Sequence, residues 1–216
     1  MFIVEKQPKS VPAEAYRVLR TNIQYSSFDK DIEKILVTSS EPGEGKSTTA
    51  GNLALAYSQD EKRVLIIDCD LRKPSLHKKF RISNNIGLSD VVLDKSKISK
   101  AIVKYTDYLH ILPSGKVPPN PSEMLGSRAM ERLLNELGEI YDVVVLDTPP
   151  VHAVTDAQIL STKVDGVVLV VRAEKTKKEA VIDAKKSLDK VGANILGTVL
   201  NGGESSKGKY YYYYGK

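Results

Sequence analysis

"ILVTSSEPGEGKSTTAGNLA", residues Ile35–Ala54, is the stretch on which the reading of the fold turns. An apolar strand runs into a loop containing Gly43 and Gly45, and Lys46, Ser47 and Thr48 then open a helix. Strand, glycine loop, lysine and helix in that order form the context a phosphate-binding loop needs, because N–H groups of the loop and of the helix N-terminus point at anionic oxygens. Lys46 supplies a positive charge, the Ser47 hydroxyl can reach Mg²⁺, and the glycines let the backbone come close to the phosphates. The strict pattern asks for glycine where this chain has Ser40, so the loop is a variant. An ordinary glycine-rich turn is the competing reading.

Outward from the loop, short apolar runs recur at 34–39, 63–68, 108–113, 141–147, 165–172 and 194–201. Most are continuous, as strands covered on both faces are, and helical patterns at 46–59, 122–138 and 176–190 lie between them. Repeated strand, helix, strand predicts an α/β fold with a doubly wound, mostly parallel sheet and helices on both faces. The helix near 122 has a legible start: Asn120 as N-cap, Pro121 in the first helical position and Glu123 in the third. Two strands end in acids, "VLIIDCD" at Asp68 and Asp70 and "VVVLD" at Asp147. In such sheets ligands bind at the carboxyl edge, so three carboxylates and the loop converge on one crevice. Carboxylates there suit Mg²⁺, which takes one or two protein ligands beside nucleotide phosphates. Cys69 alternates to the other side of its strand and reads as core.

At 216 residues and 41% hydrophobic content the chain suits one well-buried domain. The division expected is a domain over 1–203, with an N-terminal helix at about 11–26, and a tail over 204–216. A net charge of +5 with dispersed Lys and Arg gives no indication of nucleic-acid binding. A single cysteine excludes an intrachain disulfide framework, and no run approaches a bilayer span, which together point to a cytoplasmic protein. In the N-terminal helix Glu14, Arg17 and Arg20 recur every third residue, the pattern of a solvated face with an intrahelical ion pair. The tail "SSKGKYYYYYGK" carries five consecutive tyrosines, Tyr210, Tyr211, Tyr212, Tyr213 and Tyr214, behind a Gly/Ser/Lys/Glu segment too polar to fold, so these phenols are presented and not packed.

With "EAYRVLRTNI", "SSEPGEGKST", "LIIDCDLRKP", "GLSDVV", "LPSGKVPPNPSEML", "YDVVVLDTPP" and the terminal tyrosines in order, the sequence resembles the bacterial tyrosine kinases of capsular and extracellular polysaccharide synthesis, relatives of the division and partition ATPases. By that resemblance "EPGEGKST" is a Walker A loop, in which Gly43, Glu44, Gly45, Lys46, Ser47 and Thr48 hold ATP, and "VVVLD" is the Walker B strand. Ser47, Asp70 and Asp147 are expected in the Mg²⁺ shell, Asp68 as the group that receives the tyrosine proton, with Asp68 and Asp70 open to exchange, and Asn201 near the adenine. The resemblance also implies that Glu14, Arg17 and Arg20 make the contacts of a ring-shaped homo-oligomer. It further implies that the tyrosine cluster is the kinase's own substrate, that a transmembrane activator recruits the chain to the inner face of the membrane, and that a phosphotyrosine phosphatase opposes it. Where partition and division ATPases carry a second lysine, this chain has Glu41. That departure and the tail weigh against the alternative of an ATPase switch without kinase activity.

Overall fold

In the computed structural model, residues 2–27 and 31–203 are described. The tyrosine tail, 204–216, lies outside them. Seven strands, β1 (Lys34–Ser39), β2 (Val64–Asp68), β3 (Val103–Lys104), β4 (Leu109–Leu112), β5 (Val143–Asp147), β6 (Gly166–Arg172) and β7 (Ile195–Asn201), form one sheet in the order β3-β4-β2-β5-β1-β6-β7. Every neighbouring pair is parallel except β3 with β4. The expected doubly wound architecture is therefore present, with a two-residue antiparallel edge strand that sequence pattern alone does not reveal.

The continuous apolar runs have a direct cause. Successive side chains on a strand point to opposite faces, so a strand buried on both needs apolar residues throughout. Leu36, Leu65, Ile67, Val144 and Leu146 enter one hydrophobic layer, whereas Ile35, Val37, Val64, Ile66, Val143 and Val145 enter the other. The first layer is closed by α5 (Leu88–Leu93), α7 (Pro121–Gly126), α8 (Arg128–Ile140), α9 (Asp156–Ser161) and α10 (Lys178–Asp189), with the short α6 (Ile98–Ala101) at its margin. The second is closed by α1 (Ile3–Lys6), α2 (Val11–Gln24), α3 (Lys46–Ser58) and α4 (Leu76–Phe80).

Two local expectations change. The helix expected over 122–138 is two helices, α7 and α8, divided at Ser127. Ser127 donates its hydroxyl to the Met124 carbonyl at 2.7 Å and accepts the Met130 N–H at 3.1 Å, ending one helix and capping the next. Asn120 occupies the N-cap position of α7, yet its side chain makes no capping bond and instead donates to Glu123 at 3.3 Å. The N-terminal residues, which carry no clear periodic signal, are core: Phe2 and Val4 are buried, and the Val4 N–H donates to Asn52 of α3 at 3.0 Å. The Phe2 ring lies so close over Gly51 that a Cβ there would stand 2.1 Å from it.

Candidate active site

The carboxyl ends of β1, β2 and β5 face one crevice, because Asp68 and Asp147 are register partners in β2 and β5 while β1 leads directly into the loop before α3. Within that loop Gly43 and Gly45 adopt φ of 83° and 99°, the left-handed region that only glycine enters without strain. Gly45 is the N-cap of α3, so the first N–H groups of this 13-residue helix open onto the crevice. Asn201, at the end of β7, donates its Nδ2 to the Glu44 carbonyl at 2.9 Å and lies against Gly45, where a Cβ would come within 1.8 Å of it. The residue expected near adenine thus flanks the phosphate loop.

Lys46 Nζ stands 3.1 Å from Asp70 Oδ2, 3.4 Å from Ser47 Oγ and 3.9 Å from Asp147 Oδ1. Burial alone would lower the pKa of this ammonium, but Asp147 and Asp70 outweigh it and hold the pKa above the usual lysine range. Asp68 has no exposed surface; it accepts N–H groups from Ser75 at 3.0 Å, Leu76 at 2.9 Å and Asp70 at 3.2 Å, which shapes the chain from β2 into α4. Burial, together with the facing Asp147 carboxylate, pushes the Asp68 pKa up against the pull of those amides. Asp147 is likewise fully buried and pushed up by burial, opposed by Lys46 and the nearby Ser47 hydroxyl. Asp70, at the rim, also accepts the Lys73 N–H at 2.9 Å.

Among the described residues neither oxygen of Asp147 has a hydrogen-bond partner. A fully buried carboxylate left without donors is costly and calls for a cation. Among the described residues no cluster of three or more His, Cys, Asp or Glu side chains is placed to hold a metal by itself. The buried Asp147 carboxylate is of the kind that suits Mg²⁺, which is held by one or two carboxylates and completes its shell with water and phosphate.

Several participants went unread in the sequence. The Glu44 side chain is buried and accepts the Ser40 hydroxyl at 3.0 Å on each oxygen, the Glu41 N–H at 3.1 Å and the Thr176 hydroxyl. Its backbone amide is therefore what Glu44 can offer a phosphate. Ser40, at the position where glycine is usual, is visible in the sequence only as a departure from the motif. Thr176 gives no signal at all. Lys79 of α4 donates to the Thr48 hydroxyl at 3.1 Å. Arg72 pairs with the buried Asp156 at 3.1 Å and donates to Ser122 at 2.9 Å, which ties the chain after β2 to the starts of α7 and α9. Cys69 is buried core, as its alternation implies.

Glu14 and Arg17 form the intrahelical pair, 2.9 Å apart, and Arg17 also donates to the Pro8 carbonyl at 2.7 Å. Arg20 donates to the Ala56 carbonyl at 3.0 Å and lies 3.4 Å from Asp60, fastening α2 to the end of α3. Both arginines have partners within the chain, and the Arg20 Nε is buried without an acceptor. The five tyrosines lie outside the described residues.

A parallel doubly wound sheet with a strand–glycine loop–lysine–helix element and acids at the adjoining strand ends defines a P-loop nucleotide-binding protein, and the AAA domain family matches residues 32–196. The tyrosine-protein kinase YwqD of Bacillus subtilis is 46% identical over 99% of this chain and 90% of its own length. A putative tyrosine-protein kinase, CapB of Staphylococcus aureus, is 42% identical over 99% of this chain and 94% of its own. The kinase domain of the Escherichia coli tyrosine kinase ETK superposes with a TM-score of 0.90 at 32% identity, covering 100% of this chain and 86% of that domain. The chain belongs to the bacterial tyrosine-protein kinases. No described helix is long and apolar enough to cross a membrane.

Proposed function

We propose that this kinase uses ATP with Mg²⁺ to phosphorylate Tyr210–Tyr214 of its own kind, copy to copy within a ring, and thereby regulates the synthesis or export of a capsular or extracellular polysaccharide. The observation that carries the chemistry is Lys46 beside Asp70 and Asp147, the latter a buried carboxylate without donors. The proposal for the substrate rests on the tail sequence together with membership of a tyrosine-kinase family.

Phosphoryl transfer has a loose transition state, so positioning and charge neutralisation do most of the work. In this reading the N–H groups of Gly43–Thr48 hold the phosphates, and Lys46 moves its charge from the acids to the transferred group. Ser47, Asp70 and Asp147 would hold Mg²⁺, which when bound supplies positive charge against the phosphate oxygens. Asp68 orients the tyrosine hydroxyl and receives its proton. A phenol of pKa about 10 is a reluctant donor to an ordinary carboxylate near 4, and the burial that raises Asp68 narrows that gap. Since Asp68 has no exposed surface, its surroundings must open before a hydroxyl can reach it. Asn201 sits where it can border the nucleotide while bracing the loop.

The ring contacts, the transmembrane activator at the inner membrane face and the opposing phosphatase belong to the same reading and rest on family membership. Incubation of the purified chain with Mg·ATP, followed by detection with anti-phosphotyrosine antibody, tests it. Phosphate on the 210–214 segment, absent when those residues are deleted, is the expected result; a chain that hydrolyses ATP without acquiring phosphotyrosine refutes autophosphorylation.

A further inference from the structure

Glu44 presents a physical puzzle. A carboxylate two residues before the lysine of a phosphate loop works against anion binding, and burying it adds a desolvation cost. Yet its side chain is only 2% exposed. Three groups compensate it: the Ser40 hydroxyl, the Glu41 N–H and the Thr176 hydroxyl. From Thr176 the connection continues. Its Oγ1 accepts the Arg172 N–H at 2.9 Å; Arg172 is the register partner of Asn201, whose carbonyl accepts the Ala173 N–H at 2.9 Å; and Asn201 donates back to the Glu44 carbonyl at 2.9 Å. The circuit is closed, leaving Glu44 by its side chain and returning to its backbone.

Gly43 and Gly45 flank Glu44, both with positive φ. Glycines confer the required conformation and also the freedom to leave it. Amides that are to bind phosphate must be held in place beforehand, or the ordering cost is subtracted from affinity. Between the two glycines Glu44 supplies that restraint twice, by its side chain through Thr176 and by its carbonyl through Asn201. We propose that Glu44 and Thr176 are positioning residues of the nucleotide site: their hydrogen bond locks the phosphate loop against the ends of β6 and β7. The inference rests on the nucleotide reading of the loop. It assigns a role to the segment after β6, which is 132 residues from the loop in sequence.

The test is titration calorimetry of Mg·ADP with wild-type chain, Thr176→Val, Thr176→Ser, Glu44→Ala and the double variant, with thermal unfolding of each in the absence of nucleotide. Thr176→Val preserves shape and removes the donor. It should bind Mg·ADP about tenfold more weakly, the worth of one hydrogen bond to a charged group. Its nucleotide-free melting midpoint should fall by no more than about 2–4 °C, because Glu44 keeps the Ser40 and Glu41 donors when the Thr176 hydroxyl is gone. Thr176→Ser should restore affinity, and the double variant should bind no more weakly than Glu44→Ala alone. Thr176→Val with wild-type affinity overturns the inference, as does a lowered midpoint with unchanged affinity, which would make the hydroxyl merely structural. A wild-type chain that binds no Mg·ADP overturns the nucleotide reading itself, and the inference with it.

Discussion

Lys46 Nζ lies 3.1 Å from Asp70 Oδ2, so the lysine that is to meet phosphate is already neutralising the acids of its own site. From its place in the loop, Lys46 would be expected to support nothing but ligand. The structure gives it a second duty, since Asp70 and Asp147 are buried beside it. Lys46→Met should abolish phosphotyrosine formation and also destabilise the nucleotide-free chain by about 1–3 kcal/mol, because it strands buried carboxylates without their cation. Urea unfolding in EDTA measures the second effect. Unchanged stability would mean that the acids shed their charge without the lysine.

Asp147→Asn should do the opposite to stability. It removes a fully buried charge that accepts no hydrogen bond among the described residues and shares one ammonium, 3.9 Å away, with Asp70, so the metal-free chain should gain about 1–3 kcal/mol while Mg·ATP stabilises it less than it does wild type. The pH dependence follows from direction. Burial raises the folded-state pKa of Asp68 and Asp147 above their unfolded values, so the folded state binds the extra protons. Their favourable contribution is therefore complete below the unfolded carboxylate pKa and is lost as pH rises through the raised values. Melting curves in EDTA from pH 5 to pH 8 should show the wild type losing more stability than Asp147→Asn over that window. Parallel curves would contradict the assignment.

Transfer between copies can be read directly by mixing Lys46→Met chain with chain lacking residues 210–214. Neither labels itself, so phosphotyrosine on the intact tail requires an active site from one chain and a tail from the other. Labelling that appears only in unmixed wild type would place transfer within a single chain.

The two arginines of α2 should separate. Arg20 donates to the Ala56 carbonyl from a largely buried position, so Arg20→Ala should cost about 1–2 kcal/mol in unfolding experiments. Arg17 is the more exposed, and Arg17→Ala should leave stability within about 0.5–1 kcal/mol. If the helix joins subunits, Arg17→Ala should nevertheless reduce particle mass in light scattering. An unchanged mass would leave α2 with intrachain bonds alone.

Phe2→Ala should cost about 3–5 kcal/mol, as the loss of a buried phenylalanine does. Its ring packs on Gly51 and lies tilted against Phe80, with centroids 4.5 Å apart, a cost no terminal residue on a solvated surface would incur. Chemical denaturation of the single variant decides it.

Whatever neighbouring residues can do without distant partners was legible before folding. Ile35–Ser58 contains its own strand, glycine loop and helix start, and the contiguous runs Val64–Ile67, Val143–Leu146 and Val167–Val171 announce strands covered on both faces because each of those positions is apolar. The acids at the ends of β2 and β5 were legible for the same reason, their strands being parallel and their edge common. The rest depends on partners distant in the chain. Thr176 meets Glu44 across 132 residues and Asn201 meets it across 157, and neither threonine nor asparagine has a pattern that names its acceptor. Ser127 divides a helix whose apolar spacing runs on through it, its hydroxyl serving the end of one helix and the start of the next. Phe2 and Val4 become core because Gly51 leaves room for a ring, a vacancy visible only once α3 is laid against the sheet. Local propensity and periodicity act within a few residues, whereas burial and hydrogen-bond pairing are settled by whichever distant groups the fold brings within about 3 Å.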